Sequence, residues 1–391
     1  MRLGDCGKTN LHTYSDKEKW SLIRYLDTGS ITEGRIDEIQ TLYPGVDKIP
    51  SRARRKASVG DILFSTVRPN QKHYGIIEAG TENLLVSTGF TVVTVDTTIA
   101  DPYFIYYYLT QSSVIESLQA IAEQSTSTYP SIKPSDIEDI ELDLPELETQ
   151  EKIGSTLRML DRKIALNEEI NDNLEQQAQS YFQELFVDNA DPEWTTGTIS
   201  DLGTVVGGST PSKAKPEYYT ESGIAWITPK DLSNNKSKFV SHGENDITEL
   251  GLRNSSASIM PEGTVLFSSR APIGYIAIAA GEVTTNQGFK SVVPKPEIGT
   301  PFVYFFLKNT LPVIEGMASG STFKEVSGST MKNVPAVIPD AETLAKFSDF
   351  CAPIFAQQRI LEEQNQSLAT LRDNLLPKLM SGEIDVSAVQ L

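Results

Sequence analysis

Basic and hydroxyl side chains gather in two stretches of an otherwise acidic chain. Residues 51–74 (SRARRKASVGDILFSTVRPNQKHY) carry six basic side chains against one acid, Asp61, although the 391-residue chain has a formal net charge of −18. Residues 207–232 (GGSTPSKAKPEYYTESGIAWITPKDL) combine lysines with Ser, Thr and aromatic rings. Such side chains, on loops supported by Gly and Pro, suit contacts to the phosphates and base edges of nucleic acids. The two stretches therefore predict a surface that binds nucleic acid.

The motifs of common catalytic sites are incomplete or missing. DCGKTN (5–10) resembles the end of a phosphate-binding loop, but Arg2 stands where that motif requires a glycine. DPYF (101–104) lacks the second proline of the amino-methyltransferase motif. The three histidines and two cysteines are scattered and do not pair at zinc-site spacings. We therefore expect a non-enzymatic chain that binds no cofactor and no metal.

The acidic balance argues against simple nonspecific binding of nucleic acid, because Lys and Arg make most phosphate contacts. The chain has only two cysteines, no signal peptide and no apolar run of the roughly 18 residues that a membrane span requires. We expect a cytoplasmic protein with no disulfide framework.

The chain contains two copies of one sequence pattern, separated by roughly 200 residues. The matching pairs are VGDILFSTVRP (59–69) with EGTVLFSSRAP (262–272), LLVSTGFTVVTV (84–95) with TTNQGFKSVVP (284–294), and DPYFIYYYL (101–109) with GTPFVYFFL (299–307). Each copy has short β-type runs broken by Gly, Pro and Ser clusters. The pattern predicts a duplicated α+β domain.

Each copy leads into a long helical pattern whose apolar residues recur at alternating steps of four and three. Polar residues interrupt the middle of both patterns, at Asn167 and Asn171 and at Gln357 and Gln364, which predicts that the two helices pair with each other, antiparallel. A helix from 153 to 185 would span roughly 50 Å and would fix the spacing of the two domains. The predicted seam is Ile153, Leu157, Leu160, Ile164, Leu174, Phe350, Ile354, Leu361, Leu368 and Leu371.

The predicted fold is therefore α+β, with two similar β-rich domains separated by two long helices that form an antiparallel coiled coil. The predicted boundaries are 1–145 for the first domain, 146–188 for the central helix, 189–340 for the second domain and 341–391 for the distal helix and tail.

Three stretches resemble the specificity subunits of type I restriction-modification enzymes. Residues 207–232 resemble the opening of one of their target-recognition domains, residues 142–186 their central conserved helix, and residues 337–384 their distal conserved helix. The resemblance covers essentially the whole chain. It is weaker near Leu344, where the distal helix has ETLAK (342–346) and the central helix has the more typical ETQEK (148–152).

The resemblance implies a non-catalytic reader of double-stranded DNA, in which each domain recognises half of a split, asymmetric target. It implies two methylation subunits as partners, which bind S-adenosylmethionine and methylate adenine. It also implies restriction subunits that use ATP and Mg. Basic surface on such partners would compensate for the acidity of this chain.

The predicted DNA contacts are the basic, hydroxyl and aromatic residues of the loops in each copy. They are Arg52, Arg54, Arg55, Lys56, Arg68, Lys72, Tyr74, Ser127 and Tyr129 in the first domain, and Ser209, Thr210, Lys213, Lys215, Tyr219, Thr228, Lys230, Arg270 and Lys324 in the second. We expect Trp226 and Phe267 to pack beneath the second set. The alternative interpretation is a coiled-coil scaffold that presents two β-rich modules to proteins and does not recognise DNA.

Overall fold

The computed structural model describes residues 1–125, 129–320 and 324–387. It divides into two compact units, Met1–Ile164 with Ser367–Leu391, and Ala165–Gln366. Within the described ranges, no helix combines the length and the apolarity needed to cross a membrane. The predicted domain boundaries stay predictions.

The first unit contains two four-stranded sheets and a small hairpin. Its strands are β1 (Gly7–Thr9), β2 (Ile23–Leu26), β3 (Ile31–Thr32), β4 (Arg35–Ile36), β5 (Gln40–Leu42), β6 (Ala53–Lys56), β7 (Ile62–Ser65), β8 (Tyr74–Ile76), β9 (Leu84–Ser87) and β10 (Phe90–Val95). The sheet orders are β1-β10-β7-β8 and β5-β2-β9-β6, and β3 pairs with β4. All neighbours are antiparallel except β2 and β9.

Helices cover the core of the first unit. They are α1 (Leu3–Cys6), α2 (Pro102–Thr110), α3 (Ser112–Glu123), α4 (Pro134–Glu138) and the start of α5 (Leu147–Gln183). The helix α2 begins where the Asp101 carboxylate accepts a hydrogen bond from the Phe104 amide at 2.8 Å, with Pro102 in the first turn. Its buried residues Phe104 and Ile105 share one core with Leu157 of α5.

The second unit repeats this plan around a five-stranded sheet. Its strands are β11 (Thr195–Thr198), β12 (Gly203–Gly207), β13 (Tyr219–Thr220), β14 (Trp226–Ile227), β15 (Phe239–Val240), β16 (Asp246–Ile247), β17 (Val265–Ser269), β18 (Ile273–Ala279), β19 (Thr284–Thr285), β20 (Lys290–Pro294) and β21 (Pro335–Ile338). The main sheet has the order β12-β20-β17-β18-β15, and β11 with β21, β13 with β16 and β14 with β19 form two-stranded pairs.

The helices of the second unit are α6 (Ile199–Leu202), α7 (Pro229–Asn234), α8 (Glu249–Arg253), α9 (Thr300–Gly316), α10 (Gly328–Lys332) and α11 (Ala341–Met380). A cluster of phenylalanine rings joins α9 to the two long helices. The Phe182 ring of α5 lies 5.9 Å from the Phe302 and Phe305 rings of α9 and 5.8 Å from the Phe347 ring of α11. These rings fill the core of the unit.

Corresponding hydrogen bonds confirm the duplication. Ser65 pairs with Phe90 in the first unit, as Ser268 pairs with Phe289 in the second. The amide of the next residue donates to a glycine carbonyl in each copy, from Thr66 to Gly89 at 2.8 Å and from Ser269 to Gly288 at 2.7 Å. The two copies therefore share one backbone framework beneath different side chains.

The helices α5 and α11 pack antiparallel within each unit, as predicted. In the first unit, the Arg372 guanidinium of α11 donates to the Asp161 carboxylate of α5 at 2.7 Å. In the second unit, the Asn167 amide of α5 donates to the Asn365 side chain of α11 at 2.8 Å, and Asn171 lies at the level of Gln358. Polar residues therefore interrupt the helix pair, which favours one register over its neighbours.

The observed seam of α11 differs by one residue from the predicted seam at several turns. Phe350 and Leu371 are 39% and 46% exposed, whereas Cys351 is fully buried. Gln357 is exposed and Gln358 is buried instead, and Gln364 is exposed beside Asn365. Of the other predicted seam residues, four are buried (Ile153, Leu157, Ile354 and Leu361) and four are half-buried (Leu160, Ile164, Leu174 and Leu368).

Gln150 and Leu344 occupy corresponding positions at the starts of α5 and α11, and both are buried. The Gln150 side chain accepts a hydrogen bond from the Asp101 amide at 3.0 Å and donates to the Pro145 carbonyl at 2.8 Å. Leu344 instead joins the apolar core of the second unit. The polar Gln150 and the apolar Leu344 are therefore each matched by the buried surroundings of their own unit.

Substitution of the two neighbouring phenylalanines on α11 tests the observed seam. We expect Phe347→Ala to lower the free energy of unfolding by about 3–5 kcal/mol, because Phe347 is fully buried among aromatic rings. Phe350→Ala should cost less than about 1.5 kcal/mol, because that ring contacts Tyr181 at the surface. Urea unfolding measures both, and a larger effect at Phe350 would restore the predicted seam.

Candidate nucleic-acid interface

The loop between β19 and β20 organises the recognition candidates of the second unit. The Ser209 amide donates to the Thr285 carbonyl at 2.8 Å, and the Thr210 hydroxyl donates to the Gln287 side chain. A Cβ atom on Gly208 would lie 2.0 Å from the Asn286 carbonyl oxygen, so only glycine allows the two loops to lie this close. The structure thus adds Gln287, which the sequence analysis did not select, to the predicted Ser209 and Thr210.

Trp226 and Tyr219 hold this loop from beneath. The Trp226 indole is 6% exposed and donates to the Ser209 carbonyl at 3.0 Å. The Tyr219 hydroxyl donates to the Pro211 carbonyl at 2.6 Å, and its ring lies 5.6 Å from the Trp226 ring. The prediction that Trp226 packs beneath the loop is confirmed, as it is for the fully buried Phe267. The Tyr219 hydroxyl is engaged within the chain.

Thr228 acts as the N-cap of α7. Its hydroxyl donates to the Asp231 carboxylate at 2.6 Å, and the same carboxylate accepts the Thr228 amide at 2.7 Å. The predicted contact Lys230 follows on the exposed side of the helix and pairs with Glu244 at 2.6 Å. The hydrogen bond to Glu244 raises the pKa of Lys230. Thr228 therefore orients the helix, and Lys230 is the residue that it presents to solvent.

Arg270 lies beside a second cation and an acid that the sequence analysis did not select. The Glu325 carboxylate lies 3.6 Å from the Arg270 guanidinium and 3.7 Å from the Lys290 ammonium. The Glu325 backbone is fixed by paired hydrogen bonds to Ser319, at 3.1 and 2.9 Å. Lys324 is exposed next to it. The Glu325 carboxylate thus partly neutralises both cations.

Lys213 and Lys215 are exposed on the loop that precedes β13. The Lys215 ammonium lies 5.2 Å from the centre of the Tyr218 ring. A hydrogen bond with the Tyr218 side chain raises the pKa of Lys215 above its ordinary value. These two lysines have the exposure that contact with a phosphate requires.

Arg52, just before β6, and Arg55, within it, have different surroundings in the first unit. Arg52 is exposed, and its carbonyl accepts the Thr88 amide at 2.9 Å. The Arg55 Nη2 atom donates to the Thr88 carbonyl at 3.4 Å, while its buried Nη1 atom has no partner among the described residues. Burial lowers the pKa of Arg55. Arg52 is therefore available to a ligand, whereas Arg55 is turned partly into the protein.

Arg54 and Lys56 lie near Trp20. Arg54 is half-buried and lines a cavity of about 440 Å³ together with Tyr14 and Trp20. The Lys56 ammonium pairs with Glu18 and lies 5.1 Å from the centre of the Trp20 ring. Both predicted contacts are therefore partly engaged inside the unit.

Of the remaining predicted DNA contacts in the first unit, some lie at the surface and one lies in the core. The Arg68 guanidinium lies 5.3 Å above the Tyr129 ring, which is 57% exposed, and Lys72 pairs with Glu33 at the surface. Tyr74 is only 6% exposed and stacks on Phe64 at 5.8 Å. The predicted role of Tyr74 in binding is therefore corrected to core packing. Ser127 lies outside the described residues.

The arginines that follow β7 and β17 are one residue out of register. Val67 bridges to Ser131 in the first unit where Arg270 bridges to Glu325 in the second. Arg68 consequently corresponds to Ala271, and both have a left-handed backbone, with φ of 48° and 47°. The two units therefore present their arginines from different points of the same turn.

These surfaces offer cationic, amide and hydroxyl groups, which can contact phosphates and base edges. No group of three or more His, Cys, Asp and Glu residues in the described ranges is placed to hold a metal ion. The arrangement supports recognition of an anionic polymer.

Comparisons with known proteins give one consistent result. A sequence model of the family described as "Type I restriction modification DNA specificity domain" matches residues 53–176 and 192–371. The HindI specificity subunit of Haemophilus influenzae is 25% identical, over 98% of each chain. The MjaIX specificity subunit of Methanocaldococcus jannaschii is 39% identical over 47% of this chain and 45% of its own. The fold is similar to that of the type I S subunit from M. genitalium, with a TM-score of 0.58 at 18% identity, over 97% of this chain and 95% of that one.

Two arginines of the first unit allow a test of which side chains are structural. Arg55→Met should leave the free energy of unfolding unchanged or raise it by about 1 kcal/mol, because it removes a buried donor without a partner and keeps a side chain of similar length. The control Arg52→Met changes an exposed side chain and should stay within about 0.5 kcal/mol. Urea unfolding decides, and a clear loss at Arg55→Met would show that the guanidinium stabilises the fold, through its bond to the Thr88 carbonyl or through a partner of Nη1.

Proposed function

Because the chain belongs to the type I restriction-modification DNA specificity family, we propose that it reads a bipartite, asymmetric target in double-stranded DNA. It is the non-catalytic subunit of its complex. Each β-rich domain recognises one half-site, and the partner subunits carry out the chemistry on the DNA.

The observation that carries this proposal is one backbone framework used twice with different side chains. The Thr66–Gly89 and Ser269–Gly288 hydrogen bonds place corresponding loops at corresponding positions. Around them, the first unit offers Arg52 and Arg68, and the second offers Thr210, Gln287, Lys230 and Arg270. Since base-edge contacts depend on the side chain, the two half-sites should differ in sequence.

Partner subunits follow from the same premise. Lys230 and Arg270 of the second unit are paired with acids, and a net charge of −18 weakens any attraction to phosphate. We propose that two methylation subunits supply additional basic surface, bind S-adenosylmethionine and methylate adenine within the target. Restriction subunits that use ATP and Mg would add cleavage.

An apolar stripe on the long helices supports a docking role for the methylation subunits. On α5, Leu166 and Ile170 of the second unit are 49% and 37% exposed, and their spacing of four residues places them on one helix face. On α11, Ile360 of the same unit is 48% exposed. Apolar side chains repeated along one face of a surface helix are typical of a protein interface.

The scaffold alternative is not favoured, because the chain belongs to a family defined by DNA specificity. A scaffold also gives no reason for two loop frameworks that each combine basic and amide side chains.

Substitutions in one unit should disturb one half-site only. We expect Arg270→Ala to relax the base preference at one or two positions of a single half-site, at a cost of about 1–3 kcal/mol in discrimination. Arg68→Ala should act on the other half-site. Methylome sequencing of cells that express each variant with its methylation subunits reads both half-sites at once.

The matched control for this experiment is Lys332→Ala, an exposed lysine of the second unit that lies outside the loop cluster. It should leave the methylated sequence unchanged. If Arg270→Ala weakens both half-sites equally, the two domains do not read independently and the proposal fails.

A second prediction tests the docking stripe. We expect Leu166→Glu combined with Ile170→Glu to reduce co-purification of the methylation subunits at least tenfold, because two charges would be buried in an apolar contact. The control Gln176→Glu adds a charge to an exposed position on another face of α5. Equal recovery of the methylation subunits with all variants would show that they dock elsewhere.

A further inference from the structure

A lysine is buried between three helices of the second unit. Lys238 is 8% exposed, and its ammonium donates to the Glu175 carboxylate of α5 at 2.7 Å and to the Gln358 side chain of α11 at 2.9 Å. The same ammonium lies 3.5 Å from the centre of the Phe355 ring and 4.5 Å from that of Tyr304 on α9. One side chain thus contacts α5, α9 and α11 at once.

The backbone at Lys238 is held by the same helices. The Glu362 carboxylate of α11 accepts the amide of Lys238 at 2.8 Å and the amide of Phe239 at 3.0 Å. Phe239 then starts β15, which pairs with β18 through Ile278. The Lys238 anchor, defined as Lys238 with Glu175, Gln358 and Glu362, therefore fixes both the position and the direction of the chain at this point.

The anchor immediately follows the helix that presents Lys230. The short segment 235–237 joins α7 to Lys238, and the Glu244 partner of Lys230 lies on the other side of β15. Only three residues therefore separate Lys238 from the end of α7.

Stability alone does not account for a cation at this position. Burial of a charged side chain costs free energy, and an apolar side chain of similar volume is often as stable or more stable. Glu175 already has the Lys308 ammonium as a partner and accepts the Tyr304 hydroxyl at 3.1 Å. Lys238 instead orients the chain before β15, because its two short hydrogen bonds connect this segment with both α5 and α11.

The first unit contains a similar connection. There the Tyr107 hydroxyl of α2 donates to the Asp161 carboxylate of α5 at 2.6 Å, and Arg372 of α11 donates to the same carboxylate at 2.7 Å. In both units a tyrosine of the short aromatic helix and a cation meet on one acid of α5.

We propose that Lys238 is a positioning residue, which holds α7 and its exposed Lys230 in the orientation needed to read the second half-site. Lys238 itself does not touch DNA. The inference rests on the proposed function, because it takes the second domain to be a reader of DNA.

Titration of Lys238 provides a means to test the anchor in the unaltered protein. Burial lowers the pKa of Lys238 to about 8. The groups that face it are Glu175 of α5, Tyr304 and Lys308 of α9, and Cys351 and Glu362 of α11. Above about pH 8 the ammonium loses its charge, and its bond to the Glu175 carboxylate weakens.

A rise in pH should change the free energy of unfolding and the discrimination at the second half-site in opposite directions. The folded-state pKa lies below the ordinary value of 10.5, so the unfolded chain binds more protons between these two values. The contribution of Lys238 to the free energy of unfolding therefore rises with pH across this window. The positioning role predicts that discrimination falls as pH rises through about 8, where Lys238 of the folded protein loses its proton.

The experiment compares the wild type, Lys238→Met and Lys308→Met in complex with their methylation subunits. Equilibrium binding is measured with three DNAs: the sequence that the complex methylates, a version altered in the first half-site and a version altered in the second. Each measurement is made at about pH 7 and at about pH 9. For Lys238→Met at the lower pH, we expect a roughly tenfold loss of discrimination at the second half-site and none at the first. The control Lys308→Met removes the other cation beside Glu175 and should discriminate as the wild type does.

In the wild type, discrimination at the second half-site should fall between the two pH values while the thermal unfolding temperature does not. Lys238→Met should show no such fall. If discrimination in the wild type is constant with pH or follows the unfolding temperature, Lys238 is only structural and the inference fails. If the wild type discriminates at neither half-site, the proposed function fails instead. The wild-type pH series decides even where Lys238→Met does not fold.

Discussion

The packing of α5 and α11 is the constraint on which the rest of the structure depends. Each long helix contributes side chains to the cores of both units, so that α5 places Leu157 in one core and Phe182 in the other. A short aromatic helix, α2 or α9, fills the remaining space in each core. The sheets and their loops are built on these helix cores. A shift of the helix register would therefore move the base of each recognition surface, which is why polar pairs such as Asn167 with Asn365 are useful despite their cost.

The recognition loops are separated physically from this core. Backbone hydrogen bonds such as Thr66 to Gly89 and Ser269 to Gly288 fix the loops, and they need no particular side chain. Buried residues such as Trp226 and Tyr74 support them from below. Exposed positions can then change without loss of the fold. This division explains how two copies of one framework can carry Arg68 at one point and Arg270 at another.

Features with a repeated pattern were predictable from the sequence, and isolated contacts were not. Duplication, the antiparallel helix pair and the burial of Trp226 and Phe267 follow from periodicity and apolar character. The sequence predicts Phe350 in the seam of α11 because it is larger and more apolar than Cys351, but the structure buries Cys351 instead. The basic neighbours of Tyr74 predict a surface position, whereas its ring packs in the core. Lys238 gives no sequence signal at all, since its acid partners are 63 and 124 residues away.

The acidity of the chain and the pairing of its surface cations work in the same direction. Contact with phosphate would require Lys230 to exchange Glu244, and Arg270 to exchange Glu325, for a new anionic partner. With nonspecific DNA, a phosphate merely replaces the carboxylate partner, so little free energy is gained. The correct bases add contacts that phosphate cannot provide. Because the cost of separating each pair is the same for every sequence, the pairs lower specific and nonspecific affinity alike. Only the correct bases add contacts that offset this cost, so a stable complex depends on base contacts as well as on phosphate.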